Sequence, residues 1–173
     1  MSFLWKEWQS QSLEKERGYQ TKKKTRKRDD FSMTLPENYA FVDGSFNAET
    51  GVYGYGGFIV VGDKKFQFKG SGDNAEAAKS RNISGEIMGA MRAIKAAIKL
   101  GAKDITLFYD YMGIEQWATH SWEAKKPIAI RYVQFIDKAK EMIEINFEHV
   151  PAHTGIEGNE FADRLAKDAV GIS

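Results

Sequence analysis

The stretch Tyr39–Asn47, reading YAFVDGSFN, constrains the fold of this chain more than any other. Alternate residues of a strand face opposite sides. Ala40, Val42 and Gly44 therefore share one face, and Tyr39, Phe41, Asp43 and Ser45 the other. A carboxylate placed mid-strand among apolar neighbours is costly unless something cationic compensates it. Asp43 needs a reason to be there, and the remainder of the chain has to supply it.

Two further strands follow at once, Tyr53–Val61 and Lys64–Gly70, the last alternating Phe66 and Phe68 with polar residues. The short connections predict a three-stranded antiparallel meander. Gly54, Gly56 and Gly57 suggest a phosphate loop, but such a loop opens a helix. These glycines run instead into Phe58-Ile59-Val60-Val61, which fits strand glycines that allow close packing. Ile83, Ile87, Ala90/Met91, Ile94 and Ile98 recur at helical spacing, predicting a helix over Ser84–Leu100 that Gly101 stops.

Asp104–Asp110 (DITLFYD) reads as an apolar strand bounded by charge. Because a helical crossover precedes it, it should lie parallel to a strand of the meander. A short helix over Gly113–Thr119 leads to a loop with Trp122, Lys125, Lys126 and Pro127. A second long helix is expected over Ile128–Ile143, with Ile130, Val133, Ile136 and Ile143 inward. A fifth strand, Ile145–Val150, and a loop, Pro151–Gly158, precede a last helix over Asn159–Val170 that packs Ala162, Leu165, Ala166 and Ala169. The order β-β-β-α-β-α-α-β-α defines an α/β fold: one domain, with a five-stranded mixed sheet flanked by helices.

Composition narrows the setting. The 173 residues include no cysteine, which excludes disulfides and thiolate metal sites. No apolar run approaches the roughly 18 residues of a membrane span, and Lys6 and Glu7 interrupt the apolar N-terminus, so it is not a secretory signal. A soluble, cytoplasmic protein is expected. Residues 1–30 carry nine Lys/Arg against five Asp/Glu, whereas residues 31–173 carry sixteen against nineteen. A basic leader over residues 1–35 thus precedes a slightly acidic domain over 36–173, with the boundary near Leu35-Pro36. Residues 1–18 could form a short amphipathic helix presenting Leu4, Trp5, Trp8 and Ser12. The basic run Lys22–Arg28 reads either as a solvated tail or as an electrostatic tether or nuclear address.

In open α/β sheets, ligands gather beyond the carboxyl ends of parallel strands. Asp43 lies at that end of the first strand and Asp110 at that end of the fourth. Glu86 falls in the first turn of the long helix and Asp163 in the first turns of the closing one. Each alone reads as structural, since acids end strands and suit helix N-termini. Together in a cleft they would repel by several kcal/mol, about what divalent cations neutralise. Oxygen donors without Cys or a His pair suit Mg²⁺ or Mn²⁺.

These blocks resemble type 1 ribonuclease H over about Tyr39–Val170. FVDGS carries Asp43, NISGEIMGAMRAI carries Glu86, ITLFYD carries Asp110, and HTGIEGNEFADRLA carries His153, Asn159 and Asp163. The resemblance implies hydrolysis of the RNA strand of RNA/DNA hybrids by a monomer, without a membrane partner, leaving 5′-phosphate and 3′-hydroxyl ends. It implies two Mg²⁺ ions, with Mn²⁺ as a substitute: Asp43 shared by both, Glu86 and Asp110 on the leaving-group side, Asp163 on the water side. His153 would assist proton transfer or product release, ahead of His149 in the fifth strand and His120 in a variable loop. Asn82 would read the hybrid near its 2′-hydroxyls, the feature that separates RNA from DNA. Gly44, Ser45, Asn159 and Trp122 are the remaining substrate candidates; Trp117 reads as core.

Three features depart from the family pattern. Tyr111-Met112 stands where the family has Ser-Gln, Gly85 replaces a larger residue, and the long basic insertion after the second helix is absent. The competing functions are a catalytically silent nucleic-acid-binding module on the same fold and a transposase- or integrase-like core. The intact acidic set argues against the first. The meander and the HTG…NExxAD ending argue against the second.

Overall fold

Strand β1 (Asn38–Asn47) pairs antiparallel with β2 (Val52–Val61), which pairs antiparallel with β3 (Lys64–Gly72). The computed structural model describes residues 35–151 and 155–172; the expected features of the leader and His153 lie outside the described residues. After the meander come a single turn, α1 (Ala75–Ala78), and the long helix α2 (Asn82–Lys99). Strand β4 (Asp104–Tyr109), α3 (Gly113–Ala118), α4 (Pro127–Ala139), β5 (Glu144–His149) and α5 (Glu157–Ala169) complete the chain. The sheet order is β3-β2-β1-β4-β5, with β1, β4 and β5 mutually parallel. This is the α/β fold expected from the sequence, with one extra turn of helix.

The alternation in β1 sorts the two sides of the sheet. Ala40 and Val42 join Ile59, Ile87, Ile94, Ile105, Leu107 and Ile136 in an aliphatic core. Helix α2 lies over β1 and β2 on this side and also packs against α4. Phe41 faces the other way, stacked on Phe108 at 4.4 Å and on Phe58 at 5.3 Å. Together with Val150 and Ala162 these rings form the smaller core under α5.

Two expectations need correction. Helix α4 ends at Ala139, not Ile143, and it turns Ala129, Tyr132, Ile136 and Ala139 inward. Ile130 is exposed instead. The sequence PIAIRYVQFIDKA holds two apolar stripes of helical spacing, and the winning one buries Tyr132, whose hydroxyl donates to the Ile114 carbonyl at 2.6 Å. A buried phenol is tolerable once its O–H has such a partner. The turn α1 was not expected; it starts because the Asn74 side chain accepts from the Ala77 N–H at 3.0 Å, an N-cap.

Candidate active site

The parallel pairing of β1 with β4 runs through Tyr39–Phe41 and Thr106–Phe108 and then stops. Asp43 and Asp110 each lie two residues past the last pair, Phe41 and Phe108, at the point where the strands part. Asp110 follows the last residue of β4 and is not part of it. Glu86 is what fills the parting. It accepts the Asp110 N–H at 2.8 Å and the Tyr111 N–H at 3.1 Å, taking the place of a strand partner.

Glu86 is the fifth residue of α2, since the helix begins at Asn82 and has no acidic residue in its first turn. The expected role of helix-dipole partner therefore falls away. Its side chain is 2% exposed, and burial, with the Asp43 and Asp110 charges adding to it, pushes its pKa up to about 8. The two backbone N–H groups oppose that rise.

Glycines bring α2 this close. A Cβ on Gly44 would stand 2.1 Å from the Asn82 carbonyl oxygen, and one on Gly85 would stand 1.9 Å from that of Gly54. Gly85, the departure noted above, is thus required by contact with β2. The close approach that Gly44 permits is to α2. Ser45 is buried in register with Gly54, and Asn82 is exposed at the helix start, just after Arg81 with its φ of 52°.

Asp43 accepts the Gly44 N–H at 2.8 Å. Burial pushes its pKa up to about 7; the Asp163 and Asp110 charges and hydrogen bonding with the Asp163 carboxyl act in the same direction. Asp163, the other near neighbour, comes from α5 and pairs with Lys167 at 2.9 Å. The Asp163–Lys167 spacing, i to i+4 on one helix face, is a local signal for this pair in the sequence. Asn159, in the first turn of α5 and one turn before Asp163, is buried.

Four carboxylates from β1, α2, the end of β4 and α5 thus influence one another at one edge of the sheet. As the side chains stand, no three acidic or histidine residues among the described residues are gathered closely enough to hold a cation. Glu86 is turned toward backbone N–H groups and Asp163 toward Lys167. The donor chemistry nevertheless fits a hard divalent cation: every group is a carboxylate, and crowding makes their joint ionisation unfavourable without one.

Beside Asp110, Tyr111 meets Trp117 at 5.7 Å and Trp122 at 6.4 Å, and the two tryptophans meet at 6.3 Å. Trp117 packs against the aliphatic core as expected, while Trp122 is 44% exposed and Met112 41%. The departure at Tyr111-Met112 therefore builds an aromatic, partly open wall at the site.

A sheet of this order, with carboxylates gathered where β1 and β4 part, defines the nuclease-type α/β fold that the sequence resembles. The family model for RNase H matches residues 36–171. The chain belongs to the ribonuclease H family, and it is an enzyme of that class. A ribonuclease H from Nitrobacter hamburgensis is 27% identical, the alignment covering 82% of this chain and 97% of that protein. The structure of RNase H1 from Halobacterium salinarum NRC-1 aligns at a TM-score of 0.64 and 26% identity, over 78% of this chain and 97% of that one. LC11-RNase H1, solved in complex with an RNA/DNA hybrid, aligns at a TM-score of 0.60 and 16% identity, over 77% of this chain and 99% of that one, a likeness of fold.

Proposed function

We propose that this chain hydrolyses the RNA strand of RNA/DNA hybrids, using two Mg²⁺ ions or Mn²⁺ in their place, and leaves 5′-phosphate and 3′-hydroxyl ends. The observation that carries the reading is the convergence of Asp43, Glu86, Asp110 and Asp163, from four separate elements, at the edge where β1 and β4 part. Family membership and a structural neighbour solved with an RNA/DNA hybrid support it.

Asp43, Glu86, Asp110 and Asp163 would hold the cations. When bound, the cations lower the pKa of the attacking water and stabilise the leaving oxygen. Asp163 exchanges Lys167 for that task, and Glu86 keeps the start of the Asp110 turn in place. His153 is the proton carrier of this proposal. Asn82, exposed at the head of α2, meets the 2′-hydroxyls, and Gly44, Ser45 and Asn159 shape the floor beneath the RNA strand. Trp122, exposed beside Tyr111, offers its face to the DNA strand. The enzyme acts as a monomer in the cytoplasm; no described helix is long and apolar enough to cross a membrane.

Labelled RNA/DNA hybrid, duplex DNA and duplex RNA, each incubated with Mg²⁺, Mn²⁺ or EDTA, test the proposal. The hybrid alone should be cut, and EDTA or Asp110→Asn should abolish cutting. Hybrid cleavage that survives EDTA would overturn the cation chemistry.

A further inference from the structure

Both backbone groups of Asp110 are held by side chains. Its N–H donates to Glu86 Oε1 at 2.8 Å, and its carbonyl oxygen lies 2.8 Å from His149 Nε2. A carbonyl can only accept, so Nε2 carries the hydrogen and His149 is the donor. Beyond the last β1–β4 pair, these two hydrogen bonds do for Asp110 what a ladder does for residues inside the sheet.

The flanking residues are held as firmly. Tyr109 is 1% exposed, and its hydroxyl donates to Glu115. Its ring meets Phe147 at 6.1 Å and His149 at 5.5 Å, both edge-on. Its carbonyl accepts the Val150 N–H at 2.7 Å. Tyr111, on the other side, gives its N–H to Glu86 and its ring to Trp117 and Trp122. His149 is the last residue of β5, paired in register with Tyr109, so its backbone is fixed by the sheet. A donor carried on fixed backbone, its ring edge-on to Tyr109, therefore meets a residue that has just left the sheet.

We propose that His149 is a positioning residue: its Nε2–H, seated on the Asp110 carbonyl, fixes the rotation of the Asp110 backbone and so the direction in which that carboxylate faces the cation position. This rests on reading the site as that of a divalent-cation nuclease. Sequence position alone gives His149 no such part, because its partner lies 39 residues away, just past the end of another strand. Glu86 holds the Asp110 N–H and His149 the Asp110 C=O. With the histidine donor gone, the Asp110–Tyr111 peptide keeps only the longer bond from the Tyr111 N–H to Glu86 at 3.1 Å, and its carbonyl side is released.

The test uses the full chain with His149→Phe, which keeps a ring against Tyr109 and deletes the donor, and His149→Gln, which keeps an N–H of similar reach. Mn²⁺ binding is measured by calorimetry, hybrid cleavage at limiting and saturating Mg²⁺, and melting temperature without metal. A single hydrogen bond to a neutral acceptor predicts Mn²⁺ binding weakened about three- to tenfold in His149→Phe. The kcat at limiting Mg²⁺ should fall by the same factor, with KM for the hybrid and the melting temperature nearly unchanged. His149→Gln should recover most of the loss. Wild-type Mn²⁺ affinity in His149→Phe, no recovery in His149→Gln, or a loss that tracks a lowered melting temperature would each overturn the assignment. A wild-type chain that neither binds Mn²⁺ nor cuts hybrid would overturn the nuclease reading, and this assignment with it.

Discussion

On the α2 side of the site, the carboxylate of Glu86 is 2% exposed, hydrogen-bonded to two backbone N–H groups, and carried by a helix set against Gly44 and Gly54. On the α5 side, the Asp163 side chain is 25% exposed and held by a lysine that is itself 41% exposed. Both helices sit close on the sheet, α5 included, where a Cβ on Gly56 would stand 2.3 Å from the Ala166 nitrogen. The carboxylates differ: that of Glu86 is fixed by backbone N–H groups, and that of Asp163 rests on a surface ion pair, which is worth about 0–1 kcal/mol. The contrast separates a half that sets geometry from a half that can adjust, so substitutions should act differently on the two.

The largest difference should appear at the glycines. Gly85→Val would drive a side chain into the Gly54 carbonyl and force α2 off the sheet. Overpacking of this kind costs about 3 kcal/mol or more, so circular dichroism should show a melting temperature lowered by about 10 °C, or no folded protein. The matching change on the other side, Gly158→Ala, meets the Phe41 ring at 2.9 Å. That contact is with a ring stacked between Phe58 and Phe108 and not with backbone, and about 1–3 kcal/mol is expected. Equal losses in the two variants would erase the distinction.

Glu86→Gln comes next and separates geometry from charge. Near neutral pH without metal, Glu86 is held largely as the neutral acid by burial. The amide keeps an acceptor for the Asp110 and Tyr111 N–H groups, so the melting temperature should stay within about 3 °C, equivalent to ~1 kcal/mol. Hybrid cleavage should fall by at least about a hundredfold, the scale of losing a preorganised charged group. A variant that melts far lower would show that the charge itself holds the fold.

The smallest effect belongs to Lys167→Met. Releasing Asp163 from an exposed partner should move stability by under about 1 kcal/mol and leave hybrid cleavage within about threefold, ~0.7 kcal/mol. A tenfold loss of cleavage would make Lys167 part of the reaction and the α5 side less adjustable than it looks.

Much of this was legible in the chain. Alternation in YAFVDGSFN separated the Ala40/Val42 face from the Phe41/Asp43 face, because a strand has one period and few alternatives. Asp43 announced itself by standing in an apolar stretch where charge needs a reason, whereas Glu86, Asp110 and Asp163 were legible only together, from the topology that brings them to one end of the parallel strands. What stayed hidden depends on contacts between elements. Ile130 and Tyr132 could both have faced inward, and only the Ile114 carbonyl, from another helix, settles which does. Glu86 was placed in a first turn because the start at Asn82 follows Arg81, whose positive φ carries no sequence signal. The tie from His149 to Asp110 joins residues 39 apart and leaves no local trace.

The central claim is that Asp43 is present for the reaction and works against the fold. Its folded-state pKa of about 7 lies above the ordinary value of 3.8. Between those values the folded chain holds a proton that the unfolded chain has released, so metal-free stability falls as pH rises from about 4 to 7 and levels off above. Raising the carboxyl that far corresponds to about 4 kcal/mol at most. The measurement is the metal-free melting temperature of wild type and Asp43→Asn from about pH 4 to 8, with hybrid cleavage assayed on the same samples. The prediction is no cleavage in the variant, nearly matching melting temperatures at about pH 4, and a variant several degrees more stable at about pH 8. A variant that melts well below wild type across the whole range would contradict it, making Asp43 a structural residue.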